Sequence, residues 1–526
     1  MAKLTKHAYL RYFELHTWSG VVASLVLYVM FIAGALTLFH HELETWQEPL
    51  AQLQGTAFNH PSPDAEWSLS RAEAQLKDAP DELWFAPPGP HEAAQISYQD
   101  ASGKWHSYFI QPKTGELVAQ RSRVAEFLYL IHFLWHEAVG RWLYYVAGVL
   151  GVALLVSLVS GFLIHLKDVV RQFHQFRPDT KPRVFWSDLH KVLGVMGLPF
   201  QLVFGYTGAL LVLGPLLVQG FVGPVFAGDP QQAQRVALGV EPDPSGPAGA
   251  PTKRTSIAGV LEESKRHAPE LKPEVVRLHR IGHVGGYFDV WGHVDGPPKA
   301  HGMLRVDSTN GEVIASQMPS SQGSAGATRG WVQTLHYAEF GGLPLKFLYF
   351  ALALASCGAF LTGNWVWLSR REKRESSRGN RALRRLTLGI GAGTWVALGA
   401  MFLSSRLLPL SLSGRGKWEE ASFFISLLVC VIWALVAREL QRLWWRQLAL
   451  AGVASALTPV AALGISSAGL FGARSSAAVV AVDSGLLAAG TALCALAAAL
   501  YRAQRETRAS EVSHTVSPLA TEAENV

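Results

Sequence analysis

Leu15-His16-Thr17-Trp18-Ser19-Gly20 places a histidine at the threshold of an apolar run that closes on Ala33-Gly34. The same plan returns three times, as His132 with Ser160-Gly161, His190 with Thr207-Gly208, and His336 with Thr362-Gly363. A Leu or Ile precedes each histidine. The offsets from histidine to glycine are 18, 29, 18 and 27 residues. A short offset followed by a long one, twice over at matching values, is the mark of an internal duplication. Any account of the fold must therefore explain four histidines at equivalent helix ends.

The surrounding chain is built for a bilayer. It has 526 residues, enough for several domains, with only 16% charged residues and 17 Trp. Apolar runs of the length that spans a membrane occupy residues 16–39, 143–166, 192–219, 347–369, 386–405, 421–437, 448–472 and 478–501, the last holding one internal acid, Asp483. This pattern predicts about eight transmembrane helices. The first run is too long for the apolar region of a signal peptide, so it is expected to remain as a helix. Cys357, Cys430 and Cys494 all fall in expected spans and form no disulfide framework, and no haem-attachment C-x-x-C-H occurs.

Lys and Arg collect in alternate connections. Lys3, Lys6 and Arg11 precede the first span; Lys167, Arg171, Arg177, Lys181 and Arg183 follow the second; eight basic residues from Arg370 to Arg385 follow the fourth. Arg438, Arg442, Arg446, Arg502, Arg505 and Arg508 continue the series. In an eight-span arrangement these lie on one side, which the positive-inside rule makes cytoplasmic, with both termini inside. The net charge of +6 is largely this topology signal, so nucleic acid is not an expected partner, whereas membrane lipid is.

The fold class that follows is an α-helical polytopic membrane protein carrying two small α/β (α+β) modules. A duplicated 2+2 transmembrane core is followed by four extra C-terminal helices. Residues 1–41 are read as a cytoplasmic tail and first span, and 42–125 as the first outer module. Residues 126–166 form an outer histidine-bearing segment and the second span; 167–219 are a basic loop and the third span; 220–335 are the second module. Residues 336–369 repeat the histidine-bearing segment and span, 370–385 are a basic loop, 386–501 hold four spans, and 502–526 form a disordered cytoplasmic tail.

Within the first module the pattern predicts a helix over residues 70–77 capped by Ser68 or Ser70, strands near 94–98 and 105–110, and a tight turn at Pro112–Val118 leading into a last strand. The second module repeats this with a helix over 256–267, strands near 287–294 and 302–306, and a closing turn at 307–313. Gly140 and Gly341-Gly342 each separate a short histidine-bearing segment from the following span. The run Gly389-Ile390-Gly391-Ala392-Gly393 lies inside an apolar stretch and is expected to serve close helix packing, not nucleotide binding.

Histidines at membrane depth are costly unless they do something. Neutral imidazole binds iron well, and a haem held between helices takes one histidine from each side. Two halves running in the same direction are related by an axis along the membrane normal, so equivalent residues face one another. This pairs His16 with His190 and His132 with His336, with two b-type haems as the expected cofactors. His165, His40 and His41 at helix ends, and His136 one turn beyond His132, are alternative ligands. Their duplication counterparts include Trp367, Gly214 and Phe340, which weakens them. His279, His283, His293 and His301 in the second module fit scattered polar strand residues better than a metal site.

The residues also resemble a known family. Leu15-His16 with Trp18 and Gly20, Asp188-Leu189-His190 with Gly194, Leu335-His336-Tyr337, and the Ser160-Gly161, Thr207-Gly208 and Thr362-Gly363 helix endings look like the PepSY-associated transmembrane family. The turns Thr114-Gly115-Glu116-Leu117-Val118 and Asn310-Gly311-Glu312-Val313 resemble PepSY domains, and the likeness covers roughly residues 7–372. It implies a bacterial inner-membrane protein with two periplasmic PepSY-like modules, similar to ferric-siderophore reductases. Such proteins pass electrons through b-type haem to ferric siderophores or other ferric chelates in the periplasm during iron acquisition. On that reading His16, His190, His132 and His336 match the family's histidine positions and hold haem iron.

An oxidoreductase of this kind needs an electron donor. No dinucleotide fingerprint is present, so the donor is expected to be a quinol or a separate cytoplasmic reductase. A straight helix from His132 would put it about 43 Å from Gly161 at 1.5 Å per residue, so bends at Gly140 and Gly341-Gly342 are required. Two other readings stay open: a transporter of iron chelates or another solute, and a non-catalytic regulator whose modules bind envelope proteins.

Overall fold

In the computed structural model, the residues described are 5–47, 64–76, 80–88, 93–101, 103–136, 139–140, 142–166, 175–178, 180–244, 249–280, 282–296, 300–321, 323–371, 377–462 and 477–522. The elements run α1 (Lys6–Thr37), α2 (His40–Gln47), α3 (Ala65–Glu73), β1 (Glu82–Ala86), β2 (Gln95–Gln99), β3 (Trp105–Ile110), β4 (Leu117–Ala119), α4 (Val124–His132) and α5 (Trp142–His165). The second half follows as α6 (Pro182–Phe226), α7 (Pro230–Ala233), a π-helical turn (Gln234–Leu238), α8 (Ile257–His267), β5 (Leu271–His279), β6 (Tyr287–Val294), β7 (Ala300–Asp307), β8 (Val313–Gln317), α9 (Ser324–Tyr337) and α10 (Gly342–Arg370). The C-terminal helices are α11 (Arg378–Leu407), α12 (Arg415–Val436), α13 (Leu440–Ala462) and α14 (Ala477–Glu522).

Among the described residues, seven helices are long and apolar enough to cross a membrane: α1, α5, α6, α10, α11, α12 and α14. The remaining expected span, residues 448–472, coincides with α13 only as far as Ala462; residues 463–476 lie outside the described set. The third span is longer than its apolar run. It starts at Pro182, where the missing N–H of proline costs nothing, and continues to Phe226 before a left-handed Ala227 ends it. The helical backbone of α14 also continues to Glu522, through the tail expected to be disordered; its first turns, Arg502-Ala503-Gln504-Arg505-Glu506, are good helix formers.

α1, α5, α6 and α10 close into a four-helix ring, α1 touching α5 and α10, and α6 touching the same two. Glycines set the closest approaches. Gly151 and Gly205 meet across the α5–α6 contact, where a Cβ on Gly151 would lie 3.2 Å from the Ala209 backbone nitrogen. Both bends required by the histidine placement are present. α4 ends at His132, Leu134 and Gly140 take positive φ (60° and 83°), and α5 starts afresh at Trp142. In the second half Ala338 and Gly342 take positive φ (57° and 61°) between α9 and α10.

The two modules are one sheet. Among the described residues its eight strands run in the order β4-β3-β2-β1-β5-β6-β7-β8, all antiparallel, and the two fourfold sets join through β1 and β5. Leu83 stands opposite Leu278 and Phe85 opposite Val276, all in one apolar core. Both β1 and β5 lay outside the strands read from the sequence. α3 and α8 cover this apolar face with Leu69, Ala72, Ile257 and Val260. The first covering helix runs over Ala65–Glu73 and is capped by the Asp64 carboxylate, four to five residues earlier than the Ser-capped helix predicted. Asp accepts from the exposed N-terminal amides as well as Ser does, which the serine-based reading overlooked. Ser256 caps α8 as expected. Arg254 joins the halves, reaching Glu66 at 3.1 Å and Glu73 at 2.8 Å.

The C-terminal helices are bonded to the ring by buried polar contacts. Tyr28 donates to the Gly391 carbonyl (2.6 Å), Ser24 to Asn364 (3.1 Å), and Asn364 to Thr387 (3.2 Å). Gly389 and Gly393 admit α12, since a Cβ there would lie 2.8 Å from Ala434 and 2.7 Å from Cys430, as the Gly-x-Gly-x-Gly run implied. The single acid of the last span, Asp483, accepts from the Trp46 indole at 2.7 Å, and Arg406 lies 3.8 Å from it. Glu419 accepts from the Ser122 hydroxyl (2.9 Å) and the Arg123 amide (3.0 Å).

If the two modules form one cooperative sheet, damage at the join should spread. Phe85→Ala removes a fully buried ring and should cost about 3–5 kcal/mol. Hydrogen exchange should then show protection lost in β5–β8 as well as in β1–β4; loss confined to the first set would mean that the halves fold separately.

Candidate functional site

The four histidines meet in two pairs. His16 of α1 faces His190 of α6 with ring centres 6.1 Å apart and planes at 54°. His132 of α4 faces His336 of α9 at 6.0 Å and 39°. Both pairings are those expected from the duplication.

Each imidazole rests on a glycine of a neighbouring helix. A Cβ built on Gly161 would lie 2.8 Å from the His16 ring, on Gly34 2.5 Å from His132, on Gly363 3.2 Å from His190, and on Gly208 3.4 Å from His336. The reason is visible in the hydrogen bonds. His16 Nδ1 lies 2.8 Å from the Ser157 carbonyl, His132 Nδ1 2.8 Å from Met30, and His190 Nδ1 3.0 Å from Ala359. Each of these carbonyls belongs to the residue four before the glycine, the one whose helical bond goes to the glycine N–H. With no Cβ in the way, its second lone pair is open to the imidazole. His336 departs from the rule: its Nδ1 lies 2.8 Å from the Thr207 hydroxyl, which donates to the Val203 carbonyl at 2.7 Å.

A carbonyl only accepts, and the Thr207 hydroxyl already spends its proton on Val203. In the neutral ring, therefore, every Nδ1 carries the hydrogen and every Nε2 keeps its lone pair. Among the described residues no Nε2 of the four takes a hydrogen bond. This is the arrangement found in metal-ligating histidines, whose other nitrogen is held by a backbone or side-chain oxygen. Two metal–nitrogen bonds of about 2 Å, with about 1.1 Å from each Nε2 to its ring centre, would set opposed rings about 6.2 Å apart. The observed spacings match this for both pairs.

The room around the pairs differs. A cavity of about 750 Å³ surrounds His16 and His190, with Gly20, Gly194 and Gly363 in its wall and Lys191, Arg370 and Arg371 at its rim. This volume lies within the roughly 300–1,000 Å³ of cofactor sites. The cavity at His132 and His336 is about 210 Å³, below that range, and is closed in by Phe133, Tyr144 and Phe204. The first pair thus fits a macrocycle by donors and by volume. The second fits by donors, and those aromatic side chains would have to part. Leu27 and Leu154 line both cavities, and Phe360 of the first lies against Phe31 of the second at 5.1 Å between ring centres.

Of the alternative ligands, His165 lines the same larger cavity as His16 and His190. His40 lies 3.3 Å from Glu44, with its ring against Tyr129. His136 lies 3.7 Å from Glu420 and packs on Phe424 of α12. The module histidines are dispersed: His279 stacks on Tyr287, His293 bonds Glu274, and His301 bonds Glu339. Among the described residues no group of three or more His, Cys, Asp or Glu could hold a metal ion.

The carbonyls that orient the rings had no signal in the sequence, since any residue supplies a carbonyl. The hydroxyl on His336 had one, because Thr207 directly precedes the glycine of the motif.

Residues 13–370 match the family model described as the PepSY-associated TM region. The chain is also 30% identical over 285 residues to PA4219, an uncharacterised protein of Pseudomonas aeruginosa, covering 52% of this chain and 71% of the relative. The matched region holds both histidine pairs, the glycines beneath them and the whole sheet. The chain belongs to the PepSY-associated transmembrane family.

Proposed function

We propose that the protein is an inner-membrane b-type haem electron-transfer protein that reduces ferric chelates, of the siderophore kind, on the periplasmic side. The observation that carries this reading is the two histidine pairs with ring centres 6.1 and 6.0 Å apart, each imidazole with its Nδ1 held and no hydrogen bond to its Nε2 among the described residues. Bound between such imidazoles, b-type haem supplies one-electron transfer.

The chain's own part is positioning. The Nδ1 bonds fix each ring's tautomer and aim, and the glycines hold it at a set depth. His132 packs at the level of Met30 and Gly34 on α1, some 14–18 residues beyond His16. At 1.5 Å per residue this separates the pairs by roughly 21–27 Å, most of the ~30 Å hydrocarbon thickness. One pair therefore serves each face. Lys191, Arg370 and Arg371 at the rim of the larger cavity suit a ligand with carboxylates. The Lys- and Arg-rich connections on the side of the His16 pair support, by the positive-inside rule, a cytoplasmic placement of that side and of both termini, with the sheet in the periplasm. The donor would be a quinol or a cytoplasmic reductase. Reduction of the iron at the outer face loosens it from hard oxygen ligands, which favour the more highly charged ion.

The purified protein should show the spectrum of bis-histidine b-type haem, at two per chain by haem extraction. His16→Ala or His190→Ala should remove one, and His132→Ala or His336→Ala the other; a preparation with no such haem sinks the reading.

A substitution beside the ring separates ligand geometry from ligand identity. Gly161→Val should displace His16 and abolish the first site's low-spin signal while all four histidines remain. Gly220→Ala, on the helix that carries His190 but lining neither histidine cavity, has a Cβ that would meet nothing within 4 Å and should leave the spectrum unchanged.

A further inference from the structure

A third cavity, of about 250 Å³, lies between the sheet and α9. Trp291 and His301 belong to its sheet wall, and Arg329, Gln333 and Tyr337 to its helix wall. Two of its donors have nothing to bond. Arg329 Nε and Trp291 Nε1 are shut off from solvent and have no hydrogen-bond partner among the described residues. The acids nearby are engaged: Glu274 with His293 at 2.6 Å, and Glu339 with His301 at 3.1 Å. Burial lowers the Arg329 pKa, yet a guanidinium remains charged at any physiological pH. Arg329 Nε and Trp291 Nε1 thus line one cavity as buried donors that its own acceptors, Glu274 and Gln317, leave unbonded, a condition that an incoming acceptor would relieve.

The position of the cavity gives it a role. α9 carries Arg329 at one end of the cavity and His336 two turns on, and Tyr337 lines both this cavity and that of the His132–His336 pair. Its volume suits a small carboxylate or one arm of a larger chelate.

We propose that this cavity binds a carboxylate group through Arg329 and Trp291, holding the ligand that bears it against the helix that presents His336. That the ligand is the ferric chelate to be reduced rests on the electron-transfer reading; carboxylate binding at Arg329 does not.

The test is calorimetric titration of the full-length protein in detergent with metal-free citrate, which cannot be reduced and so reads binding alone. Saturable binding is expected, weakened about tenfold or more by Arg329→Gln and less by Arg329→Lys, which keeps the charge. Trp291→Phe, which keeps the ring and removes the donor, should also weaken it. The haem content of Arg329→Gln should equal that of the parent chain, so loss of binding cannot be mistaken for loss of fold. Equal citrate affinity in Arg329→Gln, or no saturable binding, would overturn the proposal, and phosphate binding as tightly as citrate would overturn the carboxylate assignment. A haem-free protein that still binds citrate through Arg329 would refute the electron-transfer reading and leave this site standing.

Discussion

The contact on which the rest of the structure depends is an imidazole laid on a helical glycine. A side chain at that position would cover the carbonyl one turn earlier, and the histidine would lose both its seat and its hydrogen bond. At Gly161, Gly34 and Gly363 the uncovered carbonyl takes the Nδ1 hydrogen directly; at Gly208 the Thr207 hydroxyl stands in. In a bilayer, where an unbonded polar group is expensive, this leaves each ring with a single unsatisfied position, its Nε2. The helices thus leave four imidazole lone pairs, in two pairs, without a hydrogen-bond partner among the described residues.

This contact also dictates the chain's path. For His132 to reach Gly34 on α1 instead of projecting outward from α5, the chain must turn sharply after the histidine. It does so through Leu134 and Gly140 in one half, and through Ala338 and Gly342 in the other. The positive φ values at Leu134 and Ala338 are unfavourable for residues with a Cβ, and the surrounding packing holds them there. The sheet completes the arrangement from outside: α4 leaves it after β4, and α9 after β8, so both outer histidines are carried on helices rooted in one continuous sheet.

The four C-terminal helices hold no histidine within their apolar spans, yet they are bonded to the ring by groups that hydrocarbon would penalise if left alone. Glu419 is satisfied by Ser122 and Arg123, and Asp483 by Trp46, each from the segments flanking the first module. Removing one member of such a contact leaves a buried unpaired group, so these helices are fixed in place against α2 and α4 and, through Tyr28, against α1.

The four histidines, their glycines, their pairing and the membrane class were legible in the sequence, because duplication and apolar run length leave periodic traces in one dimension. Strands β1 and β5 were not, since Glu82–Ala86 and Leu271–His279 acquire their meaning only by pairing with each other across nearly two hundred residues. The same holds for the single sheet made from two modules and for the bonds that secure Asp483 and Glu419. The sequence by itself determined which residues are equivalent, since equivalence is a property of order along the chain. Only the tertiary structure decided which carbonyl each imidazole bonds, how much room surrounds each pair, and that the buried Nε of Arg329 finds no acceptor among the described residues, because those depend on distances between helices that no local pattern encodes.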